Sequence, residues 1–409
     1  MKTIVLLLSI ALTSAVMAED QGYVSLFNGK DLTGWKGEGY TVEDGAIVCT
    51  PQGKNLMTER TYANYILKLE FKLPPAGNNG LGIHYPGKGN GAYTGMEIQT
   101  LDNTGKRYQG KLKDYQWHGS LYELKPAKKG GLKPVGEWNE QTVTVNGKDV
   151  KVDLNGITIL EADLDALNES HPKHQGAKRR AGHIAFLGHG DPVAYRNIRI
   201  SEIAPEQKNN HLLVNAGFKP IPTSVWKTKE GITNWITHNG IIKHNGMGGE
   251  VKDLWTKDSF KDFTLSFNWR WSGRGKMKMQ PVVLPDGSHK EKQEIEELDS
   301  GVYLRGQAKS QVNLWNWTVG SGEVYGYRMD KKMPPEVKAG VTPKMRADKP
   351  IGEWNYMEIT MKGEVLNVRL NGKHVIVDAR LPGVPAEGPI ALQSHGQAID
   401  FANLWIKID

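Results

Sequence analysis

The 409-residue sequence predicts an all-β protein built as two tandem sandwich domains. Three observations carry that prediction. Apolar and polar residues alternate along short segments, Asn-Gly dipeptides separate several of those segments, and the second half of the chain repeats the first. At roughly 100–200 residues per domain, the length also fits two or three domains.

The repeat sets the organisation. Pro134-Val-Gly-Glu-Trp-Asn139 recurs as Pro350-Ile-Gly-Glu-Trp-Asn355, and Leu154-Asn-Gly156 recurs at the same offset as Leu370-Asn-Gly372. Tyr65 to Leu73 matches Phe263 to Trp271, Asp44-Gly45 matches Asn239-Gly240, and Gly182 to Gly190 matches Gly388 to Gly396, all in one order. The polar stretch Ala204 to Asn210 reads as a linker, which places domains at 22–203 and 211–409.

Each element follows from side-chain period. In Leu67-Lys-Leu-Glu-Phe-Lys-Leu73 the apolar residues share one face and the charges the other, and Phe263, Leu265, Phe267, Trp269 and Trp271 repeat this pattern. A period of two is that of a half-buried strand. Gln141 to Val145, Val150 to Leu154 and Ile157 to Leu160 are joined through Asn146-Gly147 and Asn155-Gly156, dipeptides that adopt the positive φ of a tight hairpin. That makes an antiparallel meander. Helical periodicity is confined to Leu164 to Glu169, and no strand–helix–strand rhythm appears, so each half reads as a sandwich.

Composition excludes several function classes. Hydrophobic residues at 38% and charged residues at 24% rule out a disordered chain, and the negative mean hydropathy rules out a polytopic membrane protein. The net charge of +7 is scattered among acids, without the dense basic stripe that nucleic acid demands. Trp outnumbers Phe 12 to 8, which favours stacking on flat apolar faces of ligands.

Residues 1–18 have the layout of a secretory leader: Lys2, the apolar run Ile4 to Leu12, then Val16-Met17-Ala18, with cleavage expected after Ala18. The run is shorter than the roughly 20 residues that span a bilayer. No membrane span is expected, and the destination is periplasmic or extracellular. Cys49 is the sole cysteine, so no intramolecular disulfide forms, and a buried inert thiol is the expected state.

Several runs resemble the 3-keto-disaccharide hydrolase domain family: Phe27 to Trp35, Asn79-Gly80, Gly95-Met-Glu-Ile-Gln-Thr-Leu-Asp102, His118-Gly-Ser-Leu-Tyr122, Gly136-Glu-Trp-Asn139 and His189-Gly190. The second half resembles the same family through Ser300-Gly301, Gly352 to Asn355, Leu370 to Gly372 and His395-Gly396, interrupted by a charged insertion, Lys290 to Asp299. The resemblance implies two concanavalin A-like jelly rolls, similar to laminarinase-type glycoside hydrolases, and action on glycosides whose C3 hydroxyl is oxidised to a ketone. Such a ketone acidifies the C2 proton, so the C1 substituent leaves by elimination and water then adds. The site needs a base, donors for the enolate oxygen and a proton source for the leaving group.

By alternation Glu97 and Gln99 share a strand face opposite Met96 and Ile98, a candidate cleft floor. Asp102 lies on the opposite face of a regular strand, and a β-bulge would bring it round. The run resembles a laminarinase catalytic strand, with Gln99 and Asp102 at positions where that family carries acids. Its plain alternatives are a solvated face for the strand and a turn-opening role for Asp102. His84 stands where the family usually has arginine, as the second half does at Arg305, a candidate substrate-binding donor to an oxyanion or to carbohydrate hydroxyls; His84 is read either as a base or metal ligand or as a hydrogen-bonded structural residue. His118 is a second group for proton transfer, Tyr122 a donor, and His189 a further site residue, although its recurrence as His395 fits a structural role equally.

In the second half Asn313 is expected in place of the carboxylate, with Trp315 and Trp317 forming a stacking platform or, equally, core. Glu323 stands where the first half has Ser120. The N-terminal half is therefore the expected catalytic domain, and the second a diverged copy that binds carbohydrate or acts on a different substrate. No motif demands a cofactor, while a divalent cation has a place beside an enolate. His171 and His174 lack zinc spacing and read as a solvated loop. The expected partner is an oligosaccharide or 3-keto glycoside, not nucleic acid. A conventional retaining glycosidase using Glu97 and Asp102, and a non-catalytic lectin-like module, are the competing readings.

Overall fold

The computed structural model describes residues 22–206, 210–227, 234–246 and 252–408. The leader at 1–18, with its cleavage point, lies outside the described residues, as do 207–209 within the expected linker. The chain divides into two compact units between Ile203 and Ala204.

The N-terminal unit contains β1 (Val24–Ser25), β2 (Trp35–Gly37), β3 (Tyr40–Glu43), β4 (Ala46–Cys49), β5 (Asn55–Thr58), β6 (Tyr65–Lys72), β7 (Asn78–Tyr85), β8 (Met96–Leu101), β9 (Trp138–Asn146), β10 (Asp149–Leu154), β11 (Ile157–Asp163), β12 (His183–Gly188) and β13 (Ala194–Glu202). One sheet runs β11-β10-β9-β6-β13-β4-β3 with β1 beside β13, and the other runs β2-β5-β12-β7-β8. All pairings are antiparallel, which defines a two-layer jelly-roll sandwich. Two short helices, α1 (Gly91–Thr94) and α2 (Leu164–Ser170), sit in its connections.

Alternation produces the core. In β6, Tyr65, Leu67, Leu69 and Phe71 are buried while the intervening residues are half-buried. They meet Val143 and Val145 from the same sheet and Ile98 and Phe186 from the facing one. Each fully buried side chain of this size contributes about 1.5–3 kcal/mol. Phe186 is fixed by stacking, with its ring centroid 5.2 Å from Trp35 and 3.8 Å from Tyr195. Cys49 is buried as a free thiol, and burial pushes its pKa up.

The C-terminal unit repeats this wiring strand for strand. Its larger sheet is ordered Lys373–Arg380, Val365–Leu370, Asn355–Lys362, Phe263–Trp271, Ala398–Ile408, Ile241–Asn245, Trp235–His238. Its smaller sheet is ordered Trp226–Lys227, Leu254–Phe260, Gly388–Leu392, Asp299–Leu304, Gln307–Trp315. The insertion forms an extra hairpin, Lys276–Val283 with His289–Glu297, and ends before Asp299, which opens the next strand. The two units also share left-handed backbone at non-glycine positions: Asp44 and Asn239 (φ 47° and 49°), His84 and Arg305 (53° and 51°), Asn155 and Asn371 (49° and 50°), Asn197 and Asn403 (50° and 52°).

Candidate active site

A cavity of about 390 Å³ opens on the smaller sheet of the N-terminal unit. Its floor is β8, the edge strand, where Glu97, Gln99 and Leu101 face the cavity while Met96 and Ile98 enter the core. The run after His118 pairs along the free edge of β8. Gly119 N–H donates to the Gln99 carbonyl (2.8 Å), Gln99 N–H to that of Ser120 (2.9 Å), and Tyr122 N–H to that of Glu97 (2.9 Å). This ladder brings Tyr122 beside Glu97, and Tyr122 meets Tyr93 and Tyr115 edge-on at 6.4 and 5.7 Å.

Glu97 is 5% exposed, and its Oε1 has no hydrogen-bond donor among the described residues. His189 Nε2 lies 3.9 Å from that oxygen, on a side chain about half exposed. Gln99 is oriented by Asn78, to whose Oδ1 its Nε2 donates (2.7 Å). Asn78 N–H in turn donates to Asp191 Oδ2 (2.9 Å), a carboxylate that also pairs with Arg107. Amide groups, one carboxylate, one imidazole and tyrosine rings therefore surround one hollow, a mixture suited to holding a sugar ring and moving protons at it. Of the residues that line it, Glu97 alone carries a carboxylate.

The structure brings together Glu97, Gln99, Tyr122 and His189 and leaves the other first-half candidates outside. Asp102 is not turned into the cavity by a bulge. It opens a turn, with Oδ2 accepting from Ala76 N–H (2.7 Å) and Oδ1 from Thr104 N–H (2.9 Å) and the Thr104 hydroxyl (2.6 Å). His118 lies beneath the strand, stacked on Phe71 at 5.0 Å, and its Nδ1 accepts from Leu101 N–H (3.3 Å). Burial drives its pKa down to about 3, which keeps it neutral. His84 is fully enclosed, and burial, aided by the Arg180 charge, lowers its pKa to about 4. Its counterpart Arg305 is no sugar ligand. It is buried and donates to the carbonyls of Lys261 (2.7 Å), Gly363 (2.7 Å) and Pro385 (3.0 Å) and to Asp262. A left-handed corner at the end of a strand has unpaired carbonyls near it, and the long side chain satisfies them.

The second-half expectations shift in the same way. Gln99 pairs with Gly80, and Asn313 pairs with Gly301, so Asn313 corresponds to Gln99 and Gln311 to Glu97. Trp315 and Trp317 stack at 4.4 Å and pack with Val283 and Val319 under the inserted hairpin, so they form core and not an open platform. Glu323, aligned with Ser120 by the bond from Asn313 N–H to its carbonyl (2.8 Å), is buried against Arg328, and burial raises its pKa to about 7.

Residues that sequence reading missed are Asn55, Asn78, Asn90, Tyr93 and Tyr108, which line the cavity from strand ends, from α1 and from connecting segments where no period marks them. The loop read as solvated also supports the site: His174 Nε2 contacts the Ala92 carbonyl (3.1 Å) and Arg179 Nε donates to that of Thr94 (2.8 Å), pinning α1 at the cavity wall. Among the described residues no group of three or more His, Cys, Asp and Glu side chains is arranged to hold a metal ion. No helix among them is long and apolar enough to cross a membrane.

A 3-keto-disaccharide hydrolase of Bacteroides thetaiotaomicron is 29% identical over 44% of this chain and 78% of its own length. A candidate glycosyl hydrolase from Parabacteroides distasonis is 26% identical across 46% of this chain and 96% of its own, with a TM-score of 0.41. A second from the same organism is 25% identical across 44% and 98%, with a TM-score of 0.39. The pattern of the 3-keto-alpha-glucoside-1,2-lyase-like domain matches residues 22–201 and again 222–407, so the chain belongs to that family and carries it twice.

Proposed function

We propose that the N-terminal domain cleaves the glycosidic bond of 3-keto glycosides by elimination followed by hydration. The observation that carries this reading is Glu97: a buried carboxylate oxygen, unpartnered among the described residues, facing a cavity with an imidazole 3.9 Å away. In the proposed reaction Glu97 takes the C2 proton and the electron pair forms the enolate at C3. Gln99, Asn78 and Asn55 supply donors around that oxygen. Collapse of the enolate expels the C1 oxygen, which receives a proton from His189 or Tyr122, and a C1–C2 double bond remains. Water then adds its hydroxyl at C1 and its proton at C2, which completes net hydrolysis.

A retaining glycosidase requires a second carboxyl about 5–5.5 Å from the first. Asp102, its only sequence candidate, is spent on backbone N–H groups, and the cavity offers no other acid. Incubation with a disaccharide and with its 3-keto form discriminates the readings. Release of sugar from the ketone alone supports elimination, release from both supports the glycosidase, and binding without release supports a lectin-like module. Export is proposed on the leader-like segment 1–18. Its test is the N-terminal sequence and compartment of the mature protein, with a start after Ala18 expected.

A further inference from the structure

The C-terminal copy does not merely lose the acid of the first site. Register equates Gln311 with Glu97, Asp299 with Asn78, and, one step beyond the Leu254–Leu392 pair, Asp253 with Asn55. Acid and amide have changed places at three positions of one face, while His189 persists as His395. The exchange keeps a contact: His395 Nε2 lies 3.9 Å from Asp299 Oδ2, although the carboxylate now comes from the neighbouring strand. Gln311 lies across Gly301, where a Cβ would stand 2.1 Å from its Nε2, and donates to Gln393 Oε1 (2.6 Å). Asp253 Oδ1 accepts from Ser394 N–H (2.9 Å).

A second observation points to a ligand. Asn313, the counterpart of cavity-lining Gln99, is 4% exposed and its Oδ1 has no partner among the described residues. It shares a strand face with Gln311, two residues away. We propose that this face is a second saccharide site, selective for sugars that present hydrogen-bond donors, hydroxyl or ammonium, and selective against the ketone that suits the first site. Ionised carboxylates only accept, whereas the amides they replace both donate and accept. A ketone oxygen set against Asp253 and Asp299 meets two acceptors, while a hydroxyl or ammonium at the same place donates to either. Burial raises both carboxyl pKa values, that of Asp299 to about 6, so a donating ligand relieves a cost already present.

The test uses the full-length protein carrying Glu97→Gln, which makes the outcome independent of turnover in the N-terminal cleft. Calorimetric titration compares an unoxidised disaccharide, its 3-keto form, an amino-sugar disaccharide and Ca2+ alone. In the binding component that is lost with Asp253 and Asp299, the unoxidised and amino sugars are expected to bind saturably and more tightly than the ketone, whose remaining binding belongs to the N-terminal cleft. Adding Asp253→Asn and Asp299→Asn, the amides that the first copy carries, should weaken them about tenfold or more, as loss of charged hydrogen bonds does. His395→Ala, on a half-exposed side chain, serves as a second variant should that pair fail to fold. The proposal is overturned if these variants leave sugar binding unchanged, if the ketone binds as tightly as the alcohol in the component that depends on Asp253 and Asp299, or if Ca2+ alone shows Asp299-dependent binding.

Discussion

Glu97 lies across Gly80: a Cβ built on the glycine would stand 2.2 Å from Oε1 of the carboxylate. The glycine is what lets the acid fold down over the neighbouring strand into the cavity. Gly80→Ala should therefore push the carboxylate aside and lower kcat at least tenfold on a 3-keto disaccharide, a shift of about 1.4 kcal/mol in barrier. Circular dichroism should remain that of the folded sandwich. Full activity in the alanine variant would contradict this placement.

Replacing the acid separates chemistry from stability. Glu97→Gln removes the proposed general base, a role whose contribution is typically about 10²–10⁴-fold. It also removes a buried carboxylate oxygen that has no partner among the described residues, so the melting temperature should hold or rise. Kinetics and a thermal scan on one preparation check both, and a sharp fall in melting temperature would assign Glu97 to the scaffold.

Asp102 should behave in the opposite manner. Asp102→Ala frees the N–H groups of Ala76 and Thr104 and should cost about 1–3 kcal/mol in urea unfolding, while kcat of the folded fraction changes little. Loss of kcat with stability intact would return Asp102 to the chemistry.

The buried histidines impose a pH dependence on folding. In the unfolded chain His84 and His118 take protons near 6.5, whereas burial lowers them to about 4 and about 3 in the folded state. Between those limits the unfolded state binds more protons, so stability falls as pH drops from about 6.5 towards about 4. Urea midpoints measured across that window should decline, and His118→Gln, which keeps an acceptor for Leu101 N–H, should flatten the decline. A midpoint that holds steady under acid would refute the neutral, buried state.

The sandwich was legible because period two is a direct readout of a half-buried strand, and the duplicated Gly-Glu-Trp-Asn and Leu-Asn-Gly runs announced two copies. The same period correctly turned Glu97 and Gln99 to one face. It also set Asp102 off that face, where the structure leaves it; the bulge expected to turn it round does not form. For His118, in the loop after β8, alternation no longer says which way a side chain points. His84 and Arg305 misled for another reason: a left-handed corner is invisible in an alignment of side-chain types, and at that corner an imidazole packs and a guanidinium binds carbonyls. The cavity's asparagines and tyrosines come together only through the meeting of β5, β7, α1 and the loop after β8.

The matched left-handed corners make the two halves interchangeable hardware. Aspartate in one half answers to asparagine in the other, and histidine to arginine, while the φ angles agree within a few degrees, so the bends are common to both halves where the side-chain chemistry differs. Splicing a strand of one half into the other, cut at corresponding joints, should accordingly yield folded hybrids in which each cleft's preference travels with the transplanted segment.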